Sequence, residues 1–276
     1  MMNDAFLPLV PSDLLVGNYQ PAAEFSDEFD GSILDSGKWY DFAPMWLGRA
    51  PGFFDRDNVR VRDGRLRLTA RALAPDEVSV ENRARKMDRF STAFVRSCNR
   101  IRYGYFETRF RAMRACVCNA FWLNDPLDPP EKYRPGDHSE EIDMFEVFGR
   151  SAKRPELSAT PAADRVFWMT LHRVATPYVE TKVYLDHWSA SGQAPVDESF
   201  AECFHTAGFL WTPEKLVWLL DGRVVWEQEN AFCHRPLFLN IDCEIMAAWV
   251  GEPDPADLPA EFELEYVRVW QLADAP

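Results

Sequence analysis

The chain has 276 residues, with 44 Asp and Glu against 30 Lys and Arg and a formal charge of −14. That length suits one large all-β domain or two small ones, and 47% hydrophobic residues exclude a disordered chain. The acidic balance argues against a general nucleic-acid binder, whose affinity comes from neutralising phosphates, and no apolar run has the length of a membrane-spanning helix.

Residues 1–24 read as an extended arm, because Pro8, Pro11 and Pro21 discourage helix. Their first fifteen positions show neither the basic stretch nor the apolar stretch of a secretory leader. From residue 25 to residue 276 the chain reads as one β domain. Gly64 to Arg71 alternates with period two, which turns Leu66 and Leu68 to a core and Arg65 and Arg67 to solvent. Val78 to Met87 reads as a short helix or a charged loop. Phe106, Thr108, Phe110 and Ala112 alternate with Glu107, Arg109, Arg111 and Met113. Lys215–Leu220, Asp221-Gly222 and Arg223–Trp226 read as a hairpin with a type I′ turn. Glu261 to Trp270 alternates again, with Phe262, Leu264 and Tyr266 against Glu263, Glu265 and Val267. Many short strands with Gly, Pro, Asn and Asp between them predict an antiparallel sandwich or jelly roll. Ten Trp, eight Tyr and twenty Phe supply a core and leave flat faces for a groove ligand. The six cysteines show no zinc spacing and read as buried free thiols.

The charge is uneven. Residues 81–115 hold ten Lys and Arg against three Asp and Glu, whereas residues 199–276 hold four against fourteen. The basic island is either a solvated strand face or a groove wall that meets an anionic ligand.

Residues 139–149 carry the chemistry. Glu141, Asp143 and Glu146 are interleaved with Ile142, Met144, Phe145, Val147 and Phe148. The apolar residues make this a strand on a core, and Glu141 and Asp143 then share the other face. Simple alternation would send Glu146 inward, where an unpartnered charge is very costly. A β-bulge at Met144-Phe145 restores it to the acidic face. Crowded carboxylates raise at least one pKa, giving one ionised and one protonated acid near neutral pH, the pair that glycoside hydrolysis needs. If both Glu side chains lean over the shorter Asp143, their carboxyls converge to roughly the 5–5.5 Å of retaining enzymes. Glu141 is assigned as nucleophile, Asp143 as the modulator and Glu146 as acid/base, although spacing alone leaves the two Glu roles exchangeable. A calcium site or an exposed acidic face are the other readings of the same pattern.

Glu141-Ile-Asp-Met-Phe-Glu146 resembles the E-x-D-x-x-E signature of family 16 glycoside hydrolases. Arg102 to Phe110, Phe121-Trp122-Leu123, Asn58-Val59 with Asp63-Gly64-Arg65-Leu66, and Glu265-Tyr-Val-Arg-Val-Trp270 resemble other segments of that family, in order over residues 25–271. The resemblance implies a β-jelly-roll of two curved antiparallel sheets with an open concave groove, and endo-hydrolysis of a β-linked polysaccharide with retention. Trp46-Leu-Gly-Arg49-Ala-Pro51, Phe54 and Asn58-Val59 are most similar to the branch acting on red-algal galactans: agarases, porphyranases and carrageenases. The reading that follows is an endo-β-galactanase on agar or porphyran. The alternatives are a carrageenan- or furcellaran-type enzyme, a β-1,3-glucanase and a non-catalytic carbohydrate-binding sandwich. Trp122 corresponds to the groove tryptophan, and Trp46, Arg49, Arg96 and His172 are substrate-binding candidates. Trp46 is otherwise core, Arg49 an ordinary surface residue and His172 an ordinary polar one. The basic island around Arg96 leans towards a sulfated substrate, since the guanidinium fork suits sulfate as it suits phosphate. Glu28 and Glu265 are the nearest matches to the acids of a structural calcium site in the family. No cofactor is expected for catalysis. The expected partner is a polysaccharide, with no nucleic acid or membrane, on a monomer that is secreted or periplasmic by resemblance.

Overall fold

The computed structural model describes residues 10–11, 14–43, 46–125, 138–151, 163–175 and 186–273. Its elements are almost all strands. The short ones are β1 (Tyr19–Pro21), β2 (Trp39–Tyr40), β3 (Gly52–Phe54) and β4 (Val59–Arg62). One sheet runs in the order β11 (Asp186–Pro195), β10 (Val166–Ala175), β9 (His138–Val147), β8 (Cys118–Asn124), β15 (Leu237–Glu244), β6 (Phe90–Ile101). The other runs β5 (Arg65–Ala72), β16 (Ala260–Leu272), β7 (Gly104–Arg111), β12 (His205–Trp211), β13 (Lys215–Leu220), β14 (Arg223–Glu229). A short antiparallel contact between Arg71-Ala72 and Phe90-Ser91 joins them. Pairing along both of these paths is antiparallel, while the short β3 adds a parallel pairing to β6, and the architecture is the expected jelly roll.

The core lies between the sheets. Leu66 and Leu68 of β5, Phe106 and Phe110 of β7 and Phe121 of β8 are all buried. Phe145 of β9 stacks on Phe110 of β7 with ring centroids 4.2 Å apart. The hairpin at Asp221-Gly222 forms with φ of 49° and 74°, the positive values that a type I′ turn demands. Val80–Ala84 is a one-turn helix, capped by the Ser79 side chain.

Two local patterns differ from simple alternation. In β16 the register slips between Leu264 and Tyr266. Val267 and Val269 then take the core positions, and the Tyr266 hydroxyl turns to Glu107. Glu107 is itself buried, accepting from the hydroxyls of Tyr105 and Tyr266 at 3.0 Å each. The second sheet is covered there by Val10, Leu14, Leu15 and Tyr19, which pack on Tyr105, Leu210 and Trp270. Within the stretch read as an arm, Tyr19–Pro21 pairs with Trp270–Leu272.

The basic island does not form one wall. Arg109 and Arg111 pair with Glu265 and Glu263 on β16, in a ladder that also takes Arg65 and Arg67. Arg114 pairs with Glu202, Arg89 with Glu252 and Arg85 with Glu81. Arg65 and Arg67 were expected to face solvent, but they sit among the acids of β16, Arg67 only 12% exposed. Cross-strand pairs of opposite charge are the ordinary use of such a face.

Candidate active site

The predicted bulge is present on β9. Phe121 pairs with Phe145 and Trp122 with Asp143, so Met144 is the extra residue. Met144 and Phe145 both point into the core, while Glu141, Asp143 and Glu146 line the opposite face. Turning Phe145 outward would forfeit about 1.5–3 kcal/mol of burial and would send a carboxylate inward, so side-chain chemistry fixes the bulge at this position. The indole of Trp218 on β13 reinforces it, donating to the Asp143 carbonyl at 3.2 Å across the core.

Register across the first sheet lays out the groove floor in rows, because directly paired residues share a face. One row is Thr170, Asp143, Trp122, Asn240 and Arg96. A second is His172, Glu141, Asn124, Phe238 and Arg100. A third is Trp168, Glu146, Ala120, Asp242 and Phe94. Around the three acids lies an open pocket of about 440 Å³, also lined by Trp46, Arg49, Trp122, His172 and Trp249.

Trp46 and Trp122 meet edge to face at 6.2 Å, with Phe54 and Phe94 completing the cluster. Trp249 meets Trp168 at 5.2 Å on another side. The indole N–H of Trp122 donates to Asp242 at 3.2 Å, which fixes the ring in the groove. Arg49 reaches Glu244 with Nε at 3.0 Å and stays half-exposed, leaving its other N–H groups for a ligand. Arg96 shares the groove face but not the pocket. Its guanidinium lies 4.2 Å over the Phe238 ring, which Arg100 also covers at 4.7 Å.

Asp242 and Glu244 were not anticipated as pocket residues. Their signal was nevertheless present: Asn240, Asp242 and Glu244 alternate with Leu239, Ile241 and Cys243, the pattern that marked β9. With them the pocket gathers five carboxylates around Arg49 and His172. Burial, followed by the charge of Asp143, pushes Glu141 and Glu146 up to about 8. Burial pushes Asp143 up to about 7. Glu244 is pushed up to about 7 by burial against the pull of Arg49, and Asp242 is held well above the carboxylate range by burial and by Glu244. The three acids of β9 therefore titrate as a set that retains a proton near neutral pH.

This crowding has a stability consequence. A carboxyl whose folded pKa is raised stabilises the fold fully below its unfolded value and loses that contribution as pH rises through the folded value. For Asp143, about 91% buried, that window runs from about pH 4 to above pH 7. Asp143→Asn is expected to be about 1–2 kcal/mol more stable than the parent chain at pH 8, or 2–4 °C in Tm, with no difference at pH 4. Thermal melts of both proteins across that range check it, and a constant difference would show that the charge is not the cause.

His172 Nε2 lies 3.5 Å from Asp143 and 4.0 Å from Glu141. Its Nδ1 is 2.9 Å from Nε2 of His187 on β11, a residue the sequence did not single out. A single proton fits between these two nitrogens. With His187 donating, His172 keeps its own proton on Nε2, aimed at the carboxylates. Glu141, Asp143 and His172 have donor atoms within 4.8 Å of one another, but one nitrogen and two oxygens suit a transition metal rather than calcium.

Glu28 and Glu265, the acids read as a possible calcium site, are each engaged by arginine. Glu28 binds Arg268 through two bonds of 2.8 and 2.9 Å, and Glu265 is shared by Arg65 and Arg109. Both carboxylates are already neutralised by guanidinium groups.

The six cysteines carry free thiols, but only four are buried; Cys98 is partly open and Cys203 is exposed. Cys118 lines the pocket and its thiol reaches Glu146 at 3.6 Å.

Known proteins resemble this arrangement as a whole. The family described as beta-porphyranase A–D, GH16 domain, matches residues 19–272. Beta-porphyranase B of Zobellia galactanivorans is 27% identical over 260 residues, covering 91% of this chain and 84% of that protein. The crystal structure of porphyranase B from Zobellia galactanivorans superposes with a TM-score of 0.78 at 24% identity, covering 98% of each chain. That of the beta-porphyranase BpGH16B from the human gut bacterium Bacteroides plebeius also gives 0.78, at 22% identity and 95% coverage of each.

Proposed function

The chain belongs to the beta-porphyranase A–D family of GH16 domains and is a glycoside hydrolase, and from that membership we propose that it cleaves an agar- or porphyran-type β-linked galactan within the polymer, with retention. The observation that carries the reading is the acidic face of β9: Glu141, Asp143 and Glu146 stand together on the floor of an aromatic-lined groove, and the bulge turns the third of them outward. In the first step the ionised Glu141 attacks the anomeric carbon while protonated Glu146 gives its proton to the departing oxygen. In the second, Glu146 takes a proton from water and the hydroxide displaces Glu141. Asp143 lies between them, and together with His172 it steadies the charge that moves across the set. Trp122 offers a flat face on which a sugar stacks next to the cleavage point.

Those of the five pocket acids that are ionised repel a sulfate placed there. Three strands away from β9 on the same face, Arg96 is buried beside Phe238 and Arg100 is paired with Asp125 at 3.1 Å, so neither is a free counter-charge for sulfate. Beyond about 8 Å the acidic field is largely screened at physiological salt, so a sulfated sugar away from the acids is not repelled by them. What supports porphyran over agarose is the match to the porphyranase family and to its relatives.

A reducing-end assay on agarose, porphyran, κ-carrageenan and laminarin, with Glu141→Gln as the control, tests the reading. Turnover of porphyran above agarose, absent in the control, is the expected result. Turnover of laminarin or κ-carrageenan alone overturns the substrate and keeps the mechanism. Binding without turnover on all four overturns the mechanism.

A further inference from the structure

Away from the groove, Cys203, His205 and Asp221 meet on the second sheet. Cys203 lies in the loop before β12, His205 opens β12 and Asp221 sits in the β13–β14 turn. The Cys203 sulfur is 3.3 Å from His205 Nε2, and His205 Nδ1 is 2.8 Å from Asp221 Oδ2. The other carboxylate oxygen of Asp221 accepts from the Thr206 amide at 2.8 Å, so both oxygens are held. The imidazole is in turn fixed between Phe200 and Phe110, with ring centroids 5.0 and 6.3 Å away. All three groups line a cleft of about 530 Å³.

This geometry decides where the protons are. Burial pushes the Asp221 pKa up, but the bonds from His205 and Thr206 outweigh it and hold the group below the usual carboxylate range. An ionised carboxylate only accepts, so His205 carries a proton on Nδ1, and the neutral imidazole then presents a lone pair on Nε2. The thiol is the group that faces that lone pair. Burial, then Glu198, Asp221 and Glu202, hold the thiol protonated at rest, with Arg109 opposing. A nucleophile, a base within hydrogen-bond reach and a third group that orients the base are the parts of an activated thiol.

We propose that Cys203, His205 and Asp221 form a second reactive site on this enzyme, at which the Cys203 thiol exchanges with small cationic disulfides. In the step, Cys203 Sγ passes its proton to His205 Nε2 and bonds to one sulfur of the disulfide. The S–S bond of the reagent breaks, and the departing sulfur takes the proton from Nε2. The products are a mixed disulfide on Cys203 and one free small thiol, with no other oxidant. The preference for cations comes from the cleft, whose described lining has three acids, Asp197, Glu198 and Asp221, against one arginine, Arg223, with Arg109 nearby.

The test uses the whole chain, with cystamine and oxidised glutathione as probes, followed by intact-mass measurement and peptide mapping at pH 7.5. Cystamine is expected to form one adduct, at Cys203, at least about tenfold faster than oxidised glutathione at low salt, with the ratio shrinking in high salt. Cys203→Ser removes the adduct. Asp221→Asn tolerates the positive φ of the turn and can still accept from Thr206, but its amide N–H₂ faces His205 Nδ1 and moves the imidazole proton to Nε2. The cystamine reaction is then expected to slow at least about tenfold, and His205→Gln to slow it similarly as an independent variant. Equal rates in the parent chain and both variants, faster modification of Cys98, or a preference for oxidised glutathione would each overturn the proposal.

Discussion

Glu141→Ala is expected to lose at least about 10⁴-fold in kcat on the polymer, because no second group can form the glycosyl bond that the first step requires. The loss should fall on kcat with little change in KM, since the aromatic faces and Arg49 proposed to hold the sugar are untouched. Azide separates this role from a general loss of activity. In Glu141→Ala, azide enters the space of the missing carboxylate and attacks once, giving a product of inverted anomeric configuration. In Glu146→Ala, azide attacks the enzyme-bound sugar from the other side and gives a product of retained configuration. NMR of the azide products therefore assigns the two glutamates, whose roles spacing left exchangeable. The opposite pair of products would exchange them.

Glu146→Gln carries the second largest effect, about 10²–10⁴-fold on the polymer, the usual size of a general-acid contribution. The leaving group of a natural galactan is a sugar alkoxide and needs the proton. An aryl galactoside with a good leaving group does not, so its first step should be almost unaffected. The pH profile should change with it. Burial and the charge of Asp143 raise Glu141 and Glu146 alike, so the set shares its protons through neutral pH; the active form has Glu141 ionised and Glu146 protonated, and activity falls at higher pH as the last proton leaves. The basic limb should disappear in Glu146→Gln measured on the aryl substrate. A parent profile that falls already near pH 5 would show that Glu146 is not held protonated by its surroundings.

Much of this was legible in the chain. The alternation at Leu66-Leu68 and Phe106-Phe110 gave strands because a period of two sets one face to a core and the other away from it. The bulge at Met144-Phe145 followed from the same rule together with the cost of burying Glu146. The Asp221-Gly222 turn followed from the positive φ that its residues tolerate. Each is a local statement, settled within a few residues by side-chain size, charge and backbone freedom.

The sequence by itself therefore determined the strands, their punctuation, the bulge and the three acids that share one face. Tertiary structure decided what those acids face. Asp242 and Glu244 lie about 100 positions from Glu141 along the chain, and only the pairing of β8 with β15 sets them beside it. Composition joined Arg96, Arg109 and Arg111 in one basic island, yet β6 belongs to the groove sheet and β7 to the other, so the strand pairing sends them to different faces. His187 beside His172, the Trp218 indole on the Asp143 carbonyl, and Cys203 against His205 and Asp221 are likewise products of pairing and packing. The physical reason is that a strand's own residues specify which side is apolar, whereas its neighbour is chosen by the joint burial of all strands at once. Contacts across the sheets carry no period that a single stretch of sequence could display.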